Sequence, residues 1–284
     1  MDHFVQPETS GILASKLPRL RVAIADIRDK DKVEQAVIGQ EVIFNLAGKS
    51  GAADSNKTPQ DDLDVNCRGH MTVLEACRSI NPRVTIVFPS SRLVYGKPRY
   101  LPVDEHHPLQ SESIYAANKL AAENYHLIFG MLCGMKITVL RISNPYGPMQ
   151  PKRTRGYGIA NRFIQAAAAG EKLTVFGDGE QRRDYLYIDD LVDALLRSAW
   201  SEEARNKIYN IGTRDATSLL ELAELAIAEA GRGEIVRVPW PEDCRVIETG
   251  DYWSEITLAE RELGWKPLTG IRAGIASSVA FYQR

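Results

Sequence analysis

The sequence predicts an α/β protein built on a doubly wound parallel sheet. Strand-like runs alternate with longer helix-like runs along the first half of the chain, and the strand-like runs are apolar almost throughout. Alternating strands and helices favour parallel strands joined by right-handed crossovers. Unbroken apolar runs are typical of strands that are covered on both faces. The 284 residues suffice for one large domain or two moderate ones.

The predicted elements of the first half follow in strict alternation. We expect strands over residues 20–26, 41–48 and 83–91, and a fourth that starts at Lys136 and leads into a loop at Gly147. Between them we expect helices over residues 31–39, 62–80 and 113–131, the first of which ends at Gly39.

The strict alternation of strands and helices ends after Gly147. A basic, loop-like segment, "PMQPKRTRGYG", precedes a helix, "IANRFIQAAAAG", and a short strand, "KLTVFG". "YLYIDDLVDALLRSAW" and "KIYNIGT" then predict a helix–strand unit that returns to the main sheet, and the tail is helical. We therefore expect one domain from residues 1–147 with about 185–213, and a smaller α/β substrate lobe from 148–184 with 214–284.

The composition argues against several classes of protein. The net charge of −2 is close to zero and the charges are mixed, which favours neither nucleic acid nor an anionic membrane as a partner. No apolar run approaches the length of a membrane span. The four cysteines include no CxxC pair, so we expect reduced thiols in a cytoplasmic protein and neither a disulfide framework nor a metal site.

Tyr115 and Lys119 are four residues apart in the predicted helix "SIYAANKLAAENY". Residues i and i+4 share one face of a helix, and a nearby positive charge lowers the pKa of a tyrosine. The pair can therefore hold a base ready, although it can equally be ordinary surface chemistry.

The neighbouring motifs also have simple alternatives. "SSRLVYG" can be a capped turn, "RISNPYGP" a Pro/Gly turn, and "GEQRRDYLYIDD" a helix start with carboxylates at its positive end. However, the loops at Gly48, Ser91 and Asn144 all follow predicted strands, and ligands of open parallel sheets bind beyond the carboxyl ends of the strands. The order of the motifs favours a functional site.

Taken together, the motifs resemble a known family, the extended short-chain dehydrogenase/reductases. Within that family, the chain resembles the NAD-dependent nucleotide-sugar epimerases and dehydratases, and among these it is most similar to the UDP-glucose 4-epimerases. It extends over essentially the whole chain, through "ADIRD", "NLAG", "SSRLVYG", "YAANK", "LRISNPYGP", "LTVFGDGEQRRDYLYIDD", "YNIGT" and "RELGWKP". The resemblance implies a Rossmann-like fold, NAD as cofactor and a nucleotide-diphosphate sugar, UDP- or dTDP-linked, as substrate.

The resemblance also implies roles for three residues. Tyr115 would be the base that takes a proton from a sugar hydroxyl, and Lys119 would lower the pKa of Tyr115 and hydrogen-bond the nicotinamide ribose. Ser91 would hydrogen-bond the same sugar hydroxyl. A base of this kind is needed because a free phenol, with a pKa of about 10, is mostly protonated at neutral pH.

Further positions match cofactor and substrate contacts of the family. The matched cofactor positions are Asp2, Asp26, Ile27, Leu46, Ala47, Gly48 and Asn66. The matched substrate positions are Asn144 and Arg183 near the diphosphate, Phe163, Thr174 and Phe176 at the nucleobase, and Arg245 as a second phosphate-binding arginine, although "RVIETGD" departs from the usual spacing.

The two residues after Ser91 bear on the reaction. Relatives that dehydrate the sugar carry Asp-Glu there, because elimination of water needs an acid and a base near C5 and C6. Here Arg92 and Leu93 occupy these positions, and neither shuttles protons at neutral pH. We therefore expect epimerisation at C4; a dehydratase or reductase that uses another acid, and a cofactor-binding protein without turnover, stay as alternatives.

Two further expectations follow from the resemblance. The wide apolar faces of helices 62–80 and 113–131 predict a homodimer. The start of the chain also lacks a GxxGxxG or GxGxxG motif, so we expect that the first βαβ unit, roughly 30 residues that hold the pyrophosphate, is missing and that NAD binding and turnover are impaired.

Overall fold

A computed structural model of the protein describes residues 20–150 and 158–284. The helices are α1 (Lys30–Val37), α2 (Ala52–Lys57), α3 (Pro59–Leu63), α4 (His70–Ile80), α5 (Ile114–Cys133), α6 (Ile159–Ala169), α7 (Ile188–Trp200), α8 (Leu219–Ala230), α9 (Glu242–Arg245), α10 (Thr257–Leu263) and α11 (Ile271–Tyr282). The strands are β1 (Val42–Phe44), β2 (Thr85–Ser91), β3 (Lys136–Ile142), β4 (Asn144–Tyr146), β5 (Lys172–Phe176), β6 (Arg182–Tyr187), β7 (Lys207–Ile211), β8 (Ala216–Ser218) and β9 (Glu234–Val238).

The main sheet is parallel and has helices on both faces, as the sequence predicts. Its strands lie in the order β1-β2-β3-β7, so the segment "KIYNIGT" does return to it. Consecutive residues of β2 point to opposite faces: Ile86 packs in a core cluster with Leu74 of α4, whereas Val87 packs in another with Leu191 of α7. Burial on both faces explains why the strand is apolar throughout.

The C-terminal lobe has a core of its own. Strands β5 and β9 pair in parallel, and β4, β6 and β8 form a third sheet. Helices α6, α8 and α11 pack around buried side chains such as Phe163, Leu222 and Ile275. Helix α8 begins at a capping box, in which Ser218 and Glu221 each bond the backbone N–H of the other.

The predicted strand over residues 20–26 is wrong, because the structure has no strand there. Leu20, Val22 and Ile24 are exposed by 41, 44 and 67%. An extended segment becomes a strand only when a neighbour accepts and donates its backbone hydrogen bonds, and no described strand pairs with this segment. The next predicted strand, residues 41–48, is also shorter and less buried than expected, since β1 is a half-buried strand of three residues.

The predicted helix over residues 62–80 is confirmed with a local change of pitch. The chain passes from α3 through a π-helical stretch, Asp64–Gly69, into α4. Such wide turns inside helices often lie at functional sites, and this one carries Asn66, which the sequence places beside the cofactor. Within the two described ranges, no helix combines the length and the apolarity needed to cross a bilayer.

Candidate active site

The carboxyl end of β2 and the first turns of α5 lie side by side. Ser91 ends β2, and its Oγ accepts a hydrogen bond from the backbone N–H of Leu93 at 3.2 Å. Ser113 caps the N-terminus of helix α5, and its Oγ accepts a hydrogen bond from the backbone N–H of Ala116. This cap places Tyr115 in the first turn and Lys119 one turn later, on the same face.

Lys119 joins the helix to the strand. Its Nζ donates a hydrogen bond of 2.6 Å to the carbonyl oxygen of Pro89, two residues before Ser91, and lies 4.4 Å from the ring centroid of Phe88. The residue is 6% exposed. Burial lowers the pKa of Lys119 to about 8, although the nearby carboxylates of Glu123 and Asp62 favour its charged form. The structure therefore brings the expected ammonium to the strand that ends in Ser91.

The start of α5 is fixed from a second side. The backbone N–H of Tyr115 donates to Ser55 Oγ at 2.9 Å, and that of Ile114 donates to Asn56 Oδ1 at 3.0 Å. Both acceptors belong to α2, which follows the loop after β1. The backbone of Tyr115 is thus tied to the helix that follows the predicted cofactor loop.

Three buried polar side chains, those of Asn45, His70 and His126, form a cluster beside Phe88, whose ring Lys119 also contacts. Asn45 Nδ2 lies 3.0 Å from His70 Nδ1 and 3.2 Å from His126 Nε2, and His126 Nδ1 lies 2.7 Å from the carbonyl oxygen of Ala122. The His126 ring stacks on Phe88 at 4.2 Å between centroids. Burial and the charge of Lys119 lower the pKa of both histidines, that of His126 to about 4. Both imidazoles are therefore neutral at neutral pH, and neither adds a positive charge beside Lys119.

Asn66 holds the loop after β1. Its side-chain amide accepts the backbone N–H of Lys49 and donates to the Lys49 carbonyl, each at 3.1 Å, and it also donates to Asp62. A Cβ on Gly48 would lie 2.8 Å from Asn66 Oδ1, so this close approach needs glycine. Asp62 also accepts a hydrogen bond from Asn118 of α5 at 2.8 Å. One buried carboxylate thus connects the predicted cofactor loop to the helix that carries Tyr115 and Lys119.

The outer cofactor positions are more open. Leu46 is 58% exposed and Ala47 is exposed as well. The Asp26 carboxylate accepts three hydrogen bonds from Arg28, and this guanidinium lowers the pKa of Asp26 to about 2. Ile27 packs on Gly69. The position predicted at Asp2 lies outside the described residues.

On the predicted substrate side, Arg92 bonds Asn144, and a second buried arginine, Arg183, lies on β6, which pairs with the strand of Asn144. Arg92 Nε donates to Asn144 Oδ1 at 3.2 Å, and its Nη1 donates to Thr249 Oγ1 at 3.1 Å. Arg183 pairs with Glu248. Both arginines are buried, with 8% and 7% exposed, and burial together with the charge of Arg183 lowers the pKa of Arg92 to about 10. Arg92 therefore stays charged at neutral pH.

The predicted nucleobase positions separate into two groups. Thr174 and Phe176 point from the same side of β5 and are partly exposed, and the Phe176 ring lies 5.5 Å from that of Trp240. Phe163 instead is 2% exposed within the lobe core. The side chain available for stacking on a base is thus Phe176, with Trp240 beside it.

Arg245 lies apart from this group. Its side chain is 69% exposed on α9 and pairs with Glu242 at 3.6 Å. No described contact joins it to Asn144 or Arg183, so its predicted role in binding phosphate stays a prediction.

Several residues of the site had no signal in the sequence. No role was predicted for Asp62, Glu248 or Trp240, and the partners Asn118, Arg183 and Phe176 of these residues are distant in the chain. Asn45, by contrast, directly precedes the "LAG" turn, and its position after a strand could have marked it.

Comparison with known proteins identifies the class that this fold and site define. The sequence model of the NAD dependent epimerase/dehydratase family matches residues 3–212, and the chain belongs to that family, whose cofactor is NAD. The chain is 34% identical to the UDP-glucose 4-epimerase of Mycolicibacterium smegmatis, over 91% of this chain and 82% of the relative.

Solved structures agree with this assignment. The UDP-glucose 4-epimerase of Thermotoga maritima, determined with UDP-glucose, superposes with a TM-score of 0.84 at 29% identity, over 91% of this chain and 82% of the other. The UDP-glucose 4-epimerase of Thermus thermophilus, in complex with NAD, gives a TM-score of 0.82 at 28% identity, over 91% and 83%.

Proposed function

We propose that the protein is an NAD-dependent 4-epimerase of a UDP-sugar. One observation carries the proposal: the hydrogen bond from Lys119 to Pro89 holds the helix of Tyr115 against the strand that ends in Ser91. The names of the relatives support UDP as the nucleotide.

The described residues fit part of the cofactor. Lys119 and Tyr115 would hold the nicotinamide ribose, residues 46–48 would lie against the adjoining ribose, and the pair Asp26–Ile27 would lie at the adenine. The close approach of Gly48 to Asn66 and the exposure of Leu46 leave this loop open to a ligand. When bound, NAD supplies a hydride acceptor that returns the hydride, so it is not consumed.

Residues of the chain accept and return the proton of the sugar hydroxyl. Tyr115 takes the proton of the C4 hydroxyl as the carbon is oxidised and gives it back when the ketone is reduced from the other face. The ammonium of Lys119 stabilises the phenolate by charge. Ser91 positions the same hydroxyl, and Asn144 with Arg183 binds the diphosphate, for which the fork of an arginine is suited.

The pair Arg92 and Leu93 separates this proposal from dehydration. A guanidinium that stays charged at neutral pH and an aliphatic side chain supply neither the acid nor the base that elimination of water requires. A cofactor-binding protein without turnover is a weaker alternative, because Ser91, Tyr115 and Lys119 are all present in the sequence.

Product chromatography after incubation with UDP-glucose and NAD tests the proposal. We expect the C4 epimer as product, with no net reduction of NAD. A dehydrated product, or net reduction of NAD, would contradict epimerisation.

A homodimer is part of the same proposal. Ile128, Met131 and Leu132 of α5 are exposed by 43, 72 and 73%, and Ile80 at the end of α4 by 40%. Apolar side chains at this density on one helix end favour contact with a second copy. Light scattering at micromolar concentration should give twice the mass of 31.6 kDa; a monomer mass would contradict it.

A further inference from the structure

Arg92 is a buried cation whose guanidinium forms no ion pair with a carboxylate in the described parts of the chain. Its Nε and Nη1 donate to the neutral groups of Asn144 and Thr249, and its guanidinium lies 4.9 Å from the ring centroid of Tyr252. Buried arginines are as a rule paired with an anion, because a charge taken out of water is costly. The surroundings of Arg92 therefore lack a negative partner.

Neither of the two nearby carboxylates forms an ion pair with Arg92 in the described parts of the chain. Glu248 pairs with Arg183, and Asp184 Oδ2 accepts the backbone N–H groups of Thr213 and Ser254 at 3.1 Å each. Both carboxylates favour the charge of Arg92 from a distance, while Arg183 disfavours it. Among the described residues, the third nitrogen of Arg92, Nη2, has no hydrogen-bond acceptor, so it is left for a ligand.

The position of Arg92 indicates which part of a ligand it faces. It directly follows Ser91, which in the proposed function touches the reacting hydroxyl, and it bonds Asn144, which there binds the diphosphate. In the proposed function, Arg92 would therefore lie between the reacting carbon and the diphosphate, beside the sugar ring. Arg183 is already placed at the diphosphate, so Arg92 would add charge where a neutral hexose has none.

We infer that Arg92 binds a carboxylate on the sugar, and that the preferred substrate is a UDP-linked uronic acid. This inference rests on the proposed function and narrows its substrate class. The carboxylate would accept a hydrogen bond from Nη2 and neutralise the buried guanidinium. A charge-assisted hydrogen bond of this kind is worth roughly a 10- to 100-fold difference in affinity.

Calorimetric titration of the full chain with UDP, UDP-glucose and UDP-glucuronic acid tests the inference without requiring turnover. We expect UDP-glucuronic acid to bind about 10- to 100-fold more tightly than UDP-glucose. R92Q should reduce this preference to about threefold or less, and R92K, which keeps the charge but not the fork, should give an intermediate preference. R197Q, which changes an arginine on α7 whose side chain is 46% exposed, serves as the matched control and should retain the wild-type preference.

Other outcomes would overturn the inference in distinguishable ways. Equal affinity of the wild type for the two sugars would contradict the uronic acid and leave the proposed epimerase in place. If R92Q weakened all three ligands equally, Arg92 would bind the diphosphate and not the sugar. If none of the three bound, the proposed function would fail together with the inference. Thermal melting of R92Q alongside the wild type shows whether the variant is folded.

Discussion

The inner half of the site and its outer edge are built differently. Lys119, Asn66 and His126 are 6, 0 and 0% exposed, whereas Ile24 and Leu46 at the outer edge are 67 and 58% exposed. The inner side chains are held by hydrogen bonds to other elements of the chain, such as that from Lys119 to Pro89. The outer side chains contribute little burial. Changes in the inner half should therefore have large effects on chemistry, on stability or on both, and changes at the edge should affect stability little.

The largest expected effect is the loss of the base in the inner half. Y115F removes the phenolic oxygen and nothing else, so turnover should fall by about two orders of magnitude or more while the melting temperature stays close to that of the wild type. Epimerisation rates with a UDP-sugar measure this. Y125F, on the same helix, is the control and should keep the wild-type rate; a near-normal rate for Y115F would show that Tyr115 is not the base.

The second largest effect should be a loss of stability when a core side chain of the strand that carries Ser91 is truncated. Ile86 is fully buried in β2, and I86A should lower the free energy of unfolding by about 2–4 kcal/mol, since it removes apolar contacts and leaves a cavity. Urea unfolding followed by circular dichroism gives the value. A loss below about 1 kcal/mol would mean that the sheet is packed more loosely than described.

Lys119 should show a conflict between stability and function. Its folded-state pKa of about 8 lies below the ordinary value of 10.5. The unfolded chain therefore binds more protons between these values, and the stability of the wild type rises with pH across that window. At about pH 7, K119M escapes the cost of burying the charge but loses the bond to Pro89, for a net gain of about 1–2 kcal/mol, and it should lose activity.

Unfolding of K119M and wild type at several pH values tests this account. The advantage of the variant should be greatest below about pH 8 and shrink towards about pH 10. A variant that is less stable than the wild type at neutral pH would contradict a desolvated ammonium.

The smallest effect should come from the outer edge. I24A changes an apolar side chain that is mostly exposed, so the free energy of unfolding should change by less than about 0.5 kcal/mol. The same urea experiment, run beside I86A, gives the comparison directly. A loss similar to that of I86A would show that the segment is buried in solution.

The sequence alone predicted the part of the fold in which local patterns and tertiary packing agree. Strand β2, helix α5 and the return of β7 to the sheet carry strong apolar patterns and clear caps, and each was found. Residues 20–26 carry an equally good strand pattern, but a strand also needs a neighbour, and no local pattern reports on its presence.

The site was predictable to the extent that its residues belong to motifs. The strand that ends in Ser91 and the helix that carries Tyr115 and Lys119 lie side by side because their motifs end a strand and begin a helix. Glu248 and Trp240 could not be predicted, since they approach Arg183 and Phe176 only through folding of the lobe. The burial of Phe163 also depends on packing among α6, α8 and β5, which periodicity does not resolve.

The most direct test of the account is a product assay with wild type and Y115F. The purified chain is incubated with NAD and either UDP-glucose or UDP-glucuronic acid, and the sugar is analysed by chromatography and the cofactor by absorbance. We predict that the wild type forms the C4 epimer without accumulating reduced cofactor, and that Y115F forms at most about one hundredth as much in the same time. A product lacking water or carbon dioxide, or an equal yield from Y115F, would contradict an epimerase that uses Tyr115 as its base.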